Sequence, residues 1–126
     1  MRNNKILSNL GLAQKAGQVA SGEFSVEKAV KSSLAHLVIV AADASDNTKK
    51  KMKNMTAFYE TPIYYYGSKE ELGRCIGKEY RSMVAVLHPG FADSISKQLE
   101  NILTTSSLGN SIVNQSEGVG FQKWAQ

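Results

Sequence analysis

The stretch "LVIVAADASDNTKKK", Leu37 to Lys51, decides the fold. It begins with Leu37-Val38-Ile39-Val40-Ala41-Ala42, a continuous apolar run rich in β-branched side chains. A run with no polar alternation predicts a strand covered on both faces. The pattern then changes at once. Asp43 follows, Ser45 or Asp46 stands where it can cap a helix, and a helical stretch continues to about Phe58. A doubly covered strand leading straight into a helix is the building unit of an α/β protein.

The same alternation extends in both directions. Toward the N-terminus, Asn4 to Lys15 carries Ile6, Leu7, Leu10 and Ala13 at helical spacing and stops at Gly17. Val19-Ala20 is a short strand, and Gly22 opens a second helix to about Ser33. Toward the C-terminus, Pro62 opens a strand through Ile63-Tyr64-Tyr65-Tyr66. Ser68 and Glu71 form a capping-box pattern for a fourth helix that ends at Gly77. Met83-Val84-Ala85-Val86-Leu87 is another doubly covered strand, and Phe91, Ile95, Leu99 and Ile102 mark a fifth helix. The expected architecture is a three-layer α/β/α sandwich of about four strands and five helices, with a C-terminal tail. The domain is expected to span residues 1–103 and the tail residues 104–126. The tail is rich in Ser, Asn, Gln and Gly, a composition that predicts flexibility. Yet it holds Phe121 and Trp124, which suggest that the last residues dock on something, a neighbouring molecule included.

Composition narrows the function. A chain of 126 residues holds one core, and an apolar content of 42% is too high for a disordered protein. No apolar run approaches the roughly 20 residues that span a bilayer. The start, Met1-Arg2-Asn3-Asn4-Lys5, lacks the apolar stretch of a signal peptide, so the expected location is the cytoplasm. Cys75 is the only cysteine, which excludes an internal disulfide. It lies beside Ile76 on an apolar stripe and is expected to be a small core residue. His36 and His88 flank two strands, but neither forms a close-spaced ligand pair with Asp43 or Cys75. Asp43 follows a buried strand, where α/β enzymes place functional groups; it is equally well explained as a residue that starts a helix. No Gly-x-Gly-x-x-Gly and no Walker loop is present. The expectation is a protein with no catalytic residues, no metal and no cofactor.

The basic and aromatic residues say more. The net charge is +4, and Lys49, Lys50, Lys51 and Lys53 are nearly contiguous. Lys28, Lys31, Arg74, Lys78 and Arg81 lie elsewhere; brought together by folding, these groups would hold phosphates. Taken singly, each run also reads as a solvated helix face. In the second helix, Val26, Ala29 and Val30 share one face, while Phe24, Lys28 and Lys31 share the opposite one. Gly22 opens that helix, so its first N–H groups are free to meet a phosphate or a base edge. A second segment, Gly77-Lys78-Glu79-Tyr80-Arg81-Ser82, again places an aromatic beside cations. Cations grip phosphates and aromatics stack on unpaired bases, so the two sites together point to RNA.

The residues also carry a resemblance. They are "SGEFSVEKAV" at Ser21 to Val30, "LVIVAADAS" at Leu37 to Ser45, "DNTKKK" at Asp46 to Lys51, and "TPIYYYGSKEELGRCIGKEYR" at Thr61 to Arg81, followed by "SMVAVL". Over about Leu7 to Leu99 the chain resembles the kink-turn RNA-binding ribosomal protein family of archaeal L7Ae and eukaryotic L30e, nearest its bacterial YlxQ-type branch. The Ser-Lys-x-x-Leu-Gly-x-x-x-Gly portion is the most telling. The resemblance implies an α/β/α sandwich that recognises sharply bent RNA. The implied surface comprises the start of the second helix, the loop after "AADA" and the loop before the last strand. Its first part is Gly22, Glu23, Phe24, Ser25, Lys28 and Lys31. Gly22 and Lys28 match the family pattern. Phe24 stands where archaeal and eukaryotic members have Asn, and Ser25 where they have Glu, the residues that read base edges. Ser45 marks the loop after the middle strand. Lys78, Tyr80, Arg81, Ser82 and Met83 belong to the loop before the last strand.

The expected function is non-enzymatic binding of structured, kink-turn-like RNA, ribosomal RNA included, by a monomer that engages no membrane. The replaced Asn and Glu motivate an alternative, a protein-interaction module of the translation machinery that kept the fold and lost the RNA site. A third reading, the substrate-binding part of an RNA-modifying enzyme, requires the chain to be a fragment.

Overall fold

The two uninterrupted apolar runs become the central strands of the sheet. The structure is a computed structural model that describes the backbone of residues 4–109 and 121–122 and the side chains of residues 4–102. Strand β1 is Val19–Ser21, β2 Leu37–Val40, β3 Ile63–Tyr65, β4 Met83–Val86 and β5 Phe121–Gln122. Every residue of β2 and β4 is buried, and the two lie side by side, antiparallel, from Leu37 opposite Val86 to Val40 opposite Met83. Strand β1 pairs antiparallel with the far side of β4, and β3 pairs parallel with β2. The order is β1-β4-β2-β3, with β5 antiparallel along the outer edge of β3.

Helices α1 (Lys5–Lys15), α2 (Glu23–Lys31), α3 (Asp46–Tyr59), α4 (Lys69–Cys75) and α5 (Pro89–Gly109) cover the sheet. Helix α1 packs against α4 and α5, and α2 packs against α3, which gives the expected three-layer sandwich. The helix limits follow local chemistry. Ser45, rather than Asp46, caps α3, its Oγ accepting from the Thr48 amide at 3.1 Å. Ser68 and Glu71 form a reciprocal capping box, each bond 3.0 Å. Helix α4 ends where Gly77 turns left-handed at φ +79°. There the Gly77 amide donates to the Arg74 carbonyl at 3.1 Å and the Lys78 amide to that of Gly73 at 2.8 Å. His88 Nδ1 accepts from the Gly90 amide at 3.0 Å, so this histidine braces the start of α5. Among the described residues no group of three or more His, Cys, Asp or Glu is placed to hold a metal, and no helix is long and apolar enough to cross a membrane.

Cys75 is half-buried and packs against the core, its Sγ 3.2 Å from the Leu72 carbonyl; burial pushes its thiol up to about 11. The C-terminal region adds structure to the compositional picture. Helix α5 runs on through Gly109, past the boundary expected at 103, and the backbone of Phe121 and Gln122 lines the β3 edge. The expected docking of Trp124 lies outside the described residues.

Candidate nucleic-acid interface

Strand directions gather the candidate residues at one end of the sheet. Strands β1, β2 and β3 all run the same way, opposite to β4. The C-terminal ends of those three strands therefore meet the start of β4, and from them α2, α3 and α4 begin. In α/β sheets ligands bind at the carboxyl ends of the strands, where helix N-termini present unsatisfied N–H groups. Backbone bonds stitch the loops of this end together. The Ala41 amide donates to the Ser82 carbonyl at 2.8 Å, Arg81 to Lys69 at 3.1 Å, and Gly22 to Met83 at 3.1 Å. Asp43 joins them: its Oδ1 accepts from the Lys69 amide at 2.9 Å, so it braces the start of α4.

The second helix and the loop before β4 form one surface because Arg81 bridges them. Its Nε donates to Ser21 Oγ at 3.2 Å, and its guanidinium also donates to the Tyr80 carbonyl at 2.7 Å. Gly22 sits beneath the side chain at φ +89°, and a Cβ there would lie 4.0 Å from Arg81 Cδ and Nε. Glycine reaches that φ without strain, which lets the chain turn from β1 directly into α2. Around this junction stand Phe24, 80% exposed, and Tyr80, 63% exposed. Ser25, Lys28, Lys31 and Lys78 are exposed as well. Among the described residues none of these three lysines has an ion pair.

Other members of the expected set are buried or have their polar groups already engaged. Met83 is a correction: its side chain is fully buried, because it opens a strand covered on both faces, and only its carbonyl serves the junction. Ser45 commits its hydroxyl to the α3 cap, and the Ser82 carbonyl is held by Ala41. Glu23 is paired with Lys51 at 2.8 Å, and Lys51 also reaches Glu27 at 2.7 Å, a clamp between α2 and α3. The Lys51 hydrogen bond holds the Glu23 carboxyl below its ordinary value of 4.5. Lys51 and Arg74, which pairs with Glu70, are thus partly neutralised as phosphate ligands.

Residues 4–96 match the model of the ribosomal protein L7Ae/L30e/S12e/Gadd45 family. The chain belongs to this family. It is 43% identical over 91 residues to the RNA-binding protein YlxQ of Bacillus subtilis, covering 72% of this chain and 91% of that one. It is 34% identical over 93 residues to the large ribosomal subunit protein eL30 of Candida albicans, covering 72% and 88%. A solved Bacillus halodurans protein of unknown function superposes with a TM-score of 0.73 at 39% identity, over 75% of this chain and 96% of that one.

In this member of the L7Ae/L30e/S12e/Gadd45 family, two contributors to the junction lie outside the set expected from sequence. Ser21 anchors Arg81, a contact across the chain that no local pattern announces. Gly73 lets the loop before β4 lie on α4: a Cβ there would come within 2.5 Å of the Glu79 carbonyl oxygen. Its signal was present in the sequence, since a glycine inside a helical pattern carries a propensity cost of about 1 kcal/mol and commonly has a packing reason.

Proposed function

We propose that this chain is a non-enzymatic binder of structured RNA bent in the manner of a kink-turn, and that it works in the cytoplasm as a monomer associated with ribosomal RNA. The observation that carries the reading is the Arg81 bridge to Ser21 across Gly22, which unites two aromatic-and-cation segments in one surface. Lys28, Lys31, Lys78 and Arg81 supply the phosphate contacts, and the open N-terminus of α2 supplies backbone donors. The names of the B. subtilis and C. albicans relatives support RNA as the partner and the ribosome as the setting. The domain of residues 1–103 carries the binding surface, and residues 104–126 are not needed for it.

Titration of a kink-turn RNA and a straight duplex against salt tests the proposal. Each phosphate contact contributes about 0.7 to 0.9 to the slope of log affinity against log salt. Lys28→Ala is expected to weaken binding and to lower that slope by about one contact. Failure of the wild-type protein to bind either RNA would reject the proposal. It would favour the reading motivated by Phe24 and Ser25, a translation protein that kept the fold and lost the RNA site.

A further inference from the structure

We infer that Phe24 is a stacking platform for one unpaired nucleotide, a subsite that holds its base without choosing among bases; the inference rests on the RNA-binding reading above. The buried side of α2 is already filled by Val26, Ala29 and Val30, none more than 6% exposed. Phe24 lies on the other side of the helix at 80% exposure, so the core has no use for its ring. A single exposed phenylalanine is ordinary, and its surroundings make this one informative. With Glu27, Lys28, Lys31 and Ser32 it lines a shallow groove along α2. Glu27 gives its carboxylate to Lys51 at 2.7 Å, which offsets part of its repulsion toward an anion, Lys51 being shared with Glu23. Lys28 and Lys31 remain exposed and without an ion pair among the described residues.

The groove thus offers an open aromatic face, then one cation a helical turn away, about 6 Å along the axis, then a second. A nucleotide presents the complementary sequence of a π-face and an anionic phosphate at a similar separation. Charge complementarity selects such an anionic occupant over a purely apolar peptide, which would leave both ammonium groups unmatched. The base must be unpaired, because a ring inside a duplex has no free face to offer. A phenyl ring has no donor or acceptor, and stacking uses the π-face that every base has, so the subsite tolerates all four bases.

The test uses the full chain and a kink-turn RNA in which 2-aminopurine replaces each unpaired nucleotide in turn. Wild-type protein is expected to change the fluorescence at one position, and to bind with similar affinity whichever base stands there. Phe24→Ala is expected to lower affinity roughly 5- to 150-fold and abolish the fluorescence change, while Phe24→Trp preserves both. Lys28→Ala is expected to lower affinity yet leave the change intact at saturation. Wild-type affinity and an undiminished signal in Phe24→Ala would overturn this inference alone, as would the absence of a signal at every position despite tight binding. No binding by wild-type protein would overturn the RNA reading and this inference together.

Discussion

Gly73→Ala tests whether α4 sets the position of the loop that carries Lys78, Tyr80 and Arg81. A Cβ at this site would lie 2.5 Å from the Glu79 carbonyl oxygen, 2.7 Å from its carbon and 2.9 Å from Tyr80 Cα. All three are backbone atoms, so no change of rotamer relieves the contact. Carbon–oxygen approaches normally stay near 3.3 Å or beyond, so helix and loop must part by close to 1 Å. The loop has little room to give. The Lys78 amide is held by the Gly73 carbonyl at 2.8 Å, the Arg81 amide by Lys69 at 3.1 Å, and the Arg81 side chain by Ser21 at 3.2 Å. Overpacking of this kind costs about 1–3 kcal/mol. Alanine returns up to about 1 kcal/mol of helix propensity. With the full propensity gain the expected net loss is about 0–2 kcal/mol, read as a lower urea midpoint with an unchanged slope. RNA affinity should fall as well, since the displaced loop carries half of the surface. Gly77→Ala is the control: its φ of +79° disfavours a side chain, but no atom lies within 4 Å of the added Cβ. It should cost about 1 kcal/mol while leaving the loop, and hence RNA affinity, in place. Wild-type stability together with wild-type RNA affinity in Gly73→Ala would refute the account of this glycine as a spacer.

The clamp between α2 and α3 should show in acid. Lys51 holds the Glu23 carboxyl below its ordinary 4.5, so the clamp's contribution is present above that pH and is lost as pH falls through the depressed folded value. Lys51→Met should flatten this part of the stability–pH curve, followed by urea melts across the acid range, and an unaltered curve would refute the assignment. Burial pushes the Cys75 thiol up to about 11, so at neutral pH the thiolate is scarce. A disulfide reagent should modify it slowly in native protein and quickly in denaturant; equal rates would contradict its packing. A chain ending at Leu103 lacks the last part of α5 and all of β5, which leaves the outer edge of β3 unpaired. RNA affinity should survive, because the surface is built from α2 and the loop before β4, but light scattering should detect more self-association through the bared edge. Loss of RNA binding on that truncation would place the tail in the site.

Features governed by sequence neighbours are legible in the chain. The apolar runs at Leu37 and Met83 give the two central strands, and Ser68 with Glu71 places the start of α4. Helical periodicity alone sets Phe24 opposite the buried face of α2, where it is found. Met83 shows what happens when two signals conflict: loop membership suggested a surface role, but its place in a continuous apolar run meant burial, and the run prevailed. Contacts between distant segments are a different matter. Ser21 and Arg81 are 60 positions apart, and Lys51 looks like its neighbours Lys49 and Lys50 until α2 is laid beside it. Periodicity tells which side of a helix is covered, not which element covers it.

The glycines narrow that gap, because a residue that weakens its own element has to be explained by something outside it. Gly73 costs α4 helix propensity and carries no side chain into the core, yet it lets the Glu79–Tyr80 backbone lie directly on the helix. Gly22 gives α2 an N-cap without a side-chain bond, while its positive φ brings β1 into α2 beneath Arg81. Both sacrifices are local and both gains are at the same junction. Arg81 is thereby held through its own amide, its Nε and its bond to the Tyr80 carbonyl before any ligand arrives. A guanidinium ordered in advance loses less entropy when it meets a phosphate, so the same contacts yield tighter binding. The positions that look weakest within their own elements are therefore the ones that preorganise the surface.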